Sequence, residues 1–315
     1  MRYSIIIPIY NSQNTIDSCL SSIYRQIHDD AEIILIDDAS TEDLSHIPNH
    51  PQLRVLTNEK NLGPSASRNV GAKHAHGELL VFVDADVEIM PGCLDALLYP
   101  LENNPEVLGA NGIFSLKTPT KGYTSAFVNT SIHYQHTKHG DKINTCFTSI
   151  CTIRKSAFKE MGGWDDRRSS RYADDINTRW YLPNESIVLV LGAQVLHHKA
   201  VPLLGLLKHR FNIGFHFIRS LKDNQSAFKS KPTKATLHPR YPINTILGIG
   251  ILGTFIFPPL LPPLLGLSFM NNAKFIHFTY QRRGKREAIL AGPLSLIEGI
   301  AYGLGTLKGT QHVLR

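Results

Sequence analysis

The chain has 315 residues, 42% of them hydrophobic and 19% charged, which is enough to bury a full core and excludes a disordered or collagen-like chain. Four scattered cysteines (Cys19, Cys93, Cys146, Cys151) exclude a disulfide scaffold and a zinc-ribbon arrangement, and fit a reducing compartment. The net charge of +7 is unevenly spread: residues 1–199 carry 18 Lys and Arg against 23 Asp and Glu, whereas residues 200–315 carry 15 against 3. An acidic body with a basic tail assigns any anionic surface to the tail alone.

The N-terminus lacks a basic n-region, and Pro8 interrupts its apolar run, so no signal peptide is expected. Residues 3–9 (YSIIIPI) read as a first strand. Asn11 or Ser12 offers a helix cap, and Ile16, Cys19, Leu20, Ile23 and Ile27 follow as one apolar stripe at helical spacing. Residues 32–36 (EIILI) form a second buried strand ending in Asp37-Asp38, and residues 53–56 a short third. NLGPSASRN (residues 61–69) is a Gly/Pro turn opening a helix that runs to about His76.

LLVFV (residues 79–83) then runs straight into Asp84-Ala85-Asp86. Five successive apolar residues describe a strand buried on both faces. Ligands of open α/β sheets sit beyond the carboxyl ends of the strands, so Asp84 and Asp86 arrive where a ligand would bind. Two carboxylates there suit a hard divalent cation. Pro91 is expected at a first helical position, and residues 107–114 as another strand. The alternation of strand and helix predicts a doubly wound, mostly parallel α/β sheet. Residues 117–144 are polar; His133, His136 and His139 are expected on a solvated helix or loop rather than on a metal.

Six pieces stand in order: SIIIPIYN (4–11), ILIDDAST (34–41), NLGPSASRNVG (61–71), VDAD (83–86), GGWDD (162–166) and ADDINTR (173–179). Together they resemble a family-two glycosyltransferase of the GT-A fold, across roughly the first 200 residues. The resemblance implies an inverting transferase that uses a nucleotide-sugar donor and Mg²⁺ or Mn²⁺. It implies that Pro8 and Tyr10 border the nucleoside, that Asp37 or Asp38 meets the base or ribose, and that Arg68 meets phosphate. Asp84 and Asp86 are then the cation pair, Asp86 being the direct ligand. Asp175 stands where the family has its catalytic base, in an Asp-Asp where Glu-Asp is common, with Asp174 beside it to orient the acceptor or the base. Trp164 is assigned to the acceptor side, in competition with a place in the core. His197 or His198 becomes a further cation ligand.

The tail is of another kind. Residues 241–273 contain no charge, long enough to cross a bilayer, but Pro258-Pro259 and Pro262-Pro263 forbid one straight helix. Lys229, Lys231, Lys234 and Arg240 precede the stretch, and Lys274, Arg282, Arg283, Lys285 and Arg286 follow it. Basic flanks on both sides predict a re-entrant or interfacial hairpin on the cytoplasmic face. Residues 202–221 read as an amphipathic helix on anionic lipid, and residues 288–307 as a shallow or bundled helix. The basic residues flank aliphatic runs instead of alternating with stacking aromatics, which argues against nucleic acid.

The expected organisation is a GT-A catalytic domain at 1–199 and a helical, hydrophobic, membrane-associating region at 200–315. The expected activity is transfer from a nucleoside-diphosphate sugar, UDP-linked, to a hydroxyl of a glycan or lipid-linked acceptor in polysaccharide or cell-envelope synthesis. The alternatives are a polyprenyl-phosphate sugar synthase, which has little need of a base, and an inactive membrane-bound nucleotide-sugar binding protein.

Overall fold

The computed structural model describes residues 1–137, 142–143, 145–166, 182–183, 185–223 and 240–314. The elements in chain order are β1 (Tyr3–Ile9), α1 (Gln13–Tyr24), β2 (Ala31–Asp37), β3 (Leu53–Thr57), α2 (Pro64–His74), β4 (Leu79–Val83), β5 (Val87–Ile89), α3 (Cys93–Asn103), β6 (Gly109–Phe114), α4 (Tyr123–Thr137), β7 (Lys142–Ile143), β8 (Ile150–Arg154), α5 (Lys155–Glu160) and β9 (Ile187–His197). Then follow α6 (Leu203–Asp223), α7 (Arg240–Gly253), a 3-10 turn (Pro258–Leu260), α8 (Leu261–Arg283) and α9 (Lys285–Leu314). They form two compact units: residues 1–119 with 140–199, and residues 120–139 with 200–315. The segment carrying α4 thus belongs to the second unit, although it lies within the first 199 residues.

In the first unit the strands lie in the order β3-β2-β1-β4-β8-β6-β9-β5, with β7 beside β9. The run β3-β2-β1-β4 is parallel, as the alternation of strand and helix requires. Beyond β4 the sheet is mixed rather than mostly parallel, because β8 is antiparallel to both β4 and β6. A strand antiparallel to two neighbours leaves those two running the same way, and β9 is parallel to β6. The carboxyl ends of β1, β2, β4 and β9 therefore share one edge of the sheet. Pro8 has no N–H to give, and β1 pairs with β4 only as far as Ile6↔Phe82, so the proline falls beyond that ladder.

The helices are fixed by the stripes read from the sequence. α1 buries Ile16, Cys19, Leu20 and Ile23. α3 starts at Cys93, two residues after Pro91, because Gly92 takes a left-handed φ of 76° before it. α2 lies so close to the sheet that a Cβ on Gly71 would stand 2.6 Å from Ile6 Cγ2. A core of Ile6, Ile34, Leu80, Phe82, Ile153, Phe158 and Trp164, among others, fills the space beneath it.

The second unit is helical. The expectation of solvated histidines on residues 117–144 fails here: His136 is buried, and His133 stacks on Phe278 with centroids 6.2 Å apart. α4 is polar because its partners are polar. Arg240 Nη2 donates to Ser131 Oγ at 2.6 Å, and Arg283 Nε donates to Thr130 Oγ1 at 3.2 Å. His139 lies outside the described residues. The prolines do break the uncharged stretch, between α7 and α8, as the sequence requires.

Candidate active site

The site grows from the end of β4. Asp84 N donates to Ser149 O, and Val87 N donates back to Asp84 O, so Asp84, Ala85 and Asp86 form the turn joining β4 to β5. β5 runs antiparallel to β9 with Val87 opposite His197, which sets the end of β9 beside that turn. His198 N donates to Asp86 O at 2.8 Å and locks the two segments together.

Asp86 Oδ2 lies 3.6 Å from His197 Nε2 and 3.9 Å from Lys199 Nζ. Burial works to raise the Asp86 carboxyl. The hydrogen bond and charge of His197, then the charge of Lys199, outweigh burial and hold its pKa below the usual carboxylate value. The His197 ring is itself stacked on Phe114, with centroids 4.7 Å apart and planes 18° from parallel. His198 turns away: its Nε2 is 3.0 Å from Glu88 Oε2, and Glu88 also faces Arg25. Of the two histidines expected near a cation, only His197 faces Asp86.

Asp84 is engaged differently from the expectation. Arg68 Nη2 donates to its Oδ1 at 2.5 Å, and Ser149 Oγ to its Oδ2 at 2.7 Å. The Arg68 side chain is almost fully buried. Arg68 thus faces the carboxylate of Asp84, where the sequence suggested a phosphate, and Asp84 has protein partners on both oxygens. Beneath the turn, Cys19 Sγ lies 3.6 Å from Asp84 O. Burial, then the charges of Asp86, Asp84 and Glu88, push its thiol up, so it is no nucleophile.

Asp86 and His197 fit a divalent cation: one ionised oxygen donor and one imidazole nitrogen, chemistry that suits Mn²⁺ and tolerates Mg²⁺. No third His, Cys, Asp or Glu joins them among the described residues.

The two aspartates after β2 separate cleanly. Asp38 is buried, and its carboxylate accepts from Asn58 Nδ2, Leu62 N and Gly63 N, each at 2.8 Å. It holds the start of α2, where Gly63 has a φ of 90° and Pro64 begins the helix. Asp37 is half-buried at the strand end, and its Oδ1 accepts from Ser40 N at 2.9 Å. Asn11, at a φ of 50°, ties the loop after β1 to the loop after β2 by accepting from Thr41 N at 2.9 Å. Tyr10 is exposed beside it and Pro8 half-buried below.

Trp164 is a core residue, not an acceptor contact. It is 1% exposed and meets Phe82 edge-on with centroids 5.2 Å apart. The two glycines before it both take a φ of 79°, and Asn69 of α2 clasps its backbone, donating to Trp164 O and accepting from Trp164 N, both at 2.9 Å. Asp174 and Asp175 lie outside the described residues.

Ser149, Glu88 and Lys199 were not singled out from the sequence. Glu88 carries a weak local signal, two positions beyond Asp86 on the short strand that follows it. Ser149 carries none, because its contact with Asp84 spans 65 residues.

The family model for glycosyl transferase family 2 matches residues 4–162, half of the chain, and the protein belongs to that family. "Uncharacterized glycosyltransferase YibD" of Escherichia coli is 35% identical over 116 residues, which are 35% of this chain and 33% of that protein. Poly(ribitol-phosphate) beta-N-acetylglucosaminyltransferase TarS of Staphylococcus aureus is 36% identical over 125 residues, 36% of this chain and 22% of that protein. The match therefore spans a third or less of these relatives. Among solved structures, mannosyltransferase PcManGT from Pyrobaculum calidifontis, in complex with GDP-Man and Mn²⁺, aligns over 99% of this chain and 87% of that chain. The TM-score is 0.53 at 16% identity, a likeness that establishes the GT-A fold.

Proposed function

We propose that the protein is a metal-dependent inverting glycosyltransferase that moves a sugar from a UDP-linked donor to a hydroxyl of a glycan or lipid-linked acceptor. The observation that carries this reading is Asp86: a carboxylate 3.6 Å from the His197 ring and 3.9 Å from Lys199, at the edge where β1, β2, β4 and β9 end. Family membership and the polymer-glycosylating relative TarS support the class of reaction. The Mn²⁺ and nucleotide sugar bound by PcManGT support the cofactor.

In this reading Asp86 and His197 hold Mn²⁺ or Mg²⁺. Bound there, the ion acts as a Lewis acid for the leaving diphosphate. Tyr10, Pro8 and Asp37 line the nucleoside side, with Asp37 accepting from the base or ribose. Arg68 and Ser149 hold Asp84, and through it the turn that presents Asp86. Lys199 adds positive charge beside the position of the diphosphate. Asp175 takes the proton from the acceptor hydroxyl as that oxygen attacks the anomeric carbon, and Asp174 orients it. The basic, apolar helical region keeps the enzyme on anionic lipid at the cytoplasmic face, close to a lipid-linked acceptor.

Calorimetry on the purified full chain with a panel of nucleoside diphosphates, with and without Mn²⁺, tests the donor site. Mn²⁺-dependent binding of UDP, lost in Asp86→Ala, is expected. Absence of binding to every nucleotide by a folded protein refutes the reading. Asp175→Asn should bind donor as before while turnover falls at least 100-fold, and full turnover in that variant would remove the assigned base.

A further inference from the structure

The stretch from Pro242 to Ala273 is built inside out. Its exposed side chains are all apolar: Ile243, Ile246, Phe255, Ile256, Phe257, Leu260, Leu261, Leu265, Leu267, Phe269 and Met270, with prolines, glycines and Ala273. Its polar side chains are all turned inward: Asn244, Thr245, Thr254, Ser268 and Asn272 are buried and Asn271 is half-buried. A water-soluble hairpin has the opposite arrangement. Water rewards exposed polar groups, whereas hydrocarbon penalises every one it meets.

Three of the inward polar side chains, Asn244, Asn271 and Asn272, are bonded to one another. Asn244 Nδ2 donates to Asn272 Oδ1 at 3.1 Å, and Asn244 Oδ1 accepts from Asn271 at 2.9 Å and from Asn272 at 2.8 Å. Thr254 Oγ1 returns a bond to Ile251 O at 2.7 Å. The one acidic side chain in α9 beyond its first turn, Glu298, is buried against Arg210. Helices come close enough for this by glycine: a Cβ on Gly299 would stand 2.4 Å from Asn244 O. Internal hydrogen bonding with close glycine contacts is the packing that apolar solvents demand.

Resting on the reading that the tail meets a membrane, we propose that the α7–α8 hairpin is inserted into the acyl region of an anionic bilayer from one face, with Phe255, Ile256 and Phe257 leading. Phe255 and Ile256 are 89% and 90% exposed at the turn, the most exposed large apolar side chains among the described residues. From Leu261 to Lys274, α8 rises about 20 Å, short of the roughly 30 Å of hydrocarbon, so the turn ends inside the bilayer. The first charge after the turn is Lys274, and Arg282 at the end of α8 and Lys285 and Arg286 at the start of α9 follow; all four are exposed, where they meet the lipid headgroups. That basic collar selects lipid over a second protein surface as the occupant.

The test uses the full chain bound to phosphatidylethanolamine vesicles containing phosphatidylglycerol, with a nitroxide at Ile256→Cys, Phe269→Cys or Lys274→Cys; the four natural cysteines are buried. The label at 256 should be reached by oxygen and shielded from a water-soluble nickel chelate, the label at 274 reached by the chelate, and the label at 269 intermediate. Replacing Phe255, Ile256 and Phe257 together by Ser should weaken vesicle partition at least 10-fold with UDP binding unchanged, since these side chains support no core. A bound protein whose label at 256 is open to the chelate overturns the insertion and leaves surface association by the basic residues standing. A label reached by chelate sealed inside the vesicles identifies a crossing and overturns insertion from one face. Spin–spin broadening at 256 without lipid contact gives the face to a second copy of the chain and overturns the proposal. Failure of a folded, UDP-binding protein to bind vesicles at all overturns both the hairpin and the membrane reading beneath it.

Discussion

Asp37 and Asp38 are adjacent and chemically identical, yet the structure gives them opposite consequences. The Asp38 carboxylate is buried and accepts three N–H bonds, two of them from the backbone that opens α2. In Asp38→Asn the amide oxygen can keep the two Oδ1 bonds, from Asn58 Nδ2 and Leu62 N, but the new NH2 faces the Gly63 N–H, so one of the three bonds is lost and the other two lose a charged acceptor. At about 1.5–3 kcal/mol for the lost bond to a charged group and about 1 kcal/mol for each of the two that become neutral, the cost is about 3–5 kcal/mol. That is a large share of the roughly 5–15 kcal/mol that stabilises a folded protein. With a urea slope near 3 kcal/mol/M, the midpoint of the first unit should fall by roughly 1 M or more. Asp37→Asn keeps an acceptor for Ser40 N, so it should leave the midpoint unchanged and weaken UDP binding by about 10-fold, the worth of about 1.4 kcal/mol. Urea unfolding followed by near-UV dichroism, with calorimetry of UDP on each variant, separates the two. If Asp38→Asn unfolds like the parent protein but no longer binds UDP, the assignment of Asp38 to the loop and Asp37 to the ligand is wrong.

Three further outcomes are expected. Trp164→Ala should destabilise the first unit by about 3–5 kcal/mol through the cavity it leaves, while Trp164→Phe keeps most of the stability and both retain acceptor affinity; an acceptor KM that rises with stability intact would return Trp164 to the site. In the core, Glu32 accepts from Ser4 Oγ at 2.7 Å and from His76 N at 2.6 Å; burial raises its carboxyl, but these bonds and His76 outweigh it, so the folded pKa is lowered. Its contribution is therefore present above the unfolded value of about 4.3 and is lost as the pH falls through the lower folded value, so Glu32→Gln should flatten the acid limb of a stability–pH curve below about pH 4.3. A Cβ on Gly305 would stand 1.9 Å from Phe211 O, so Gly305→Ala should destabilise the helical unit by roughly 1–3 kcal/mol, whereas Gly266→Ala, which meets nothing within 4 Å, should be neutral or stabilising by up to about 1 kcal/mol; thermal unfolding in detergent reads both.

Local patterns carried much of the architecture in the sequence. Strand β1 and the buried stripe of α1 stand where their apolar periodicity puts them, and the prolines at 258–263 interrupt the uncharged stretch as ring geometry requires. The delivery of Asp84 and Asp86 to the carboxyl edge of the sheet also follows from one short stretch, because a strand buried on both faces must end where its residues turn polar. α4 was not legible in this way: its residues are polar because Arg240 and Arg283 come from more than 100 positions away. Nor was β8, which enters the sheet antiparallel and makes it mixed.

The sequence by itself determined the family, the strand–helix order of the first unit and the residue types gathered at its edge, since each follows from neighbours within a few positions. Only the tertiary structure decided which of two like residues does which task. Asp38 is bound into the fold and Asp37 left at the strand end; His197 faces Asp86 and His198 faces Glu88; Asp84 is held by Arg68 and Ser149. The physical reason is that paired residues share one local pattern, and what distinguishes them is the direction of each side chain and the distant partner it meets.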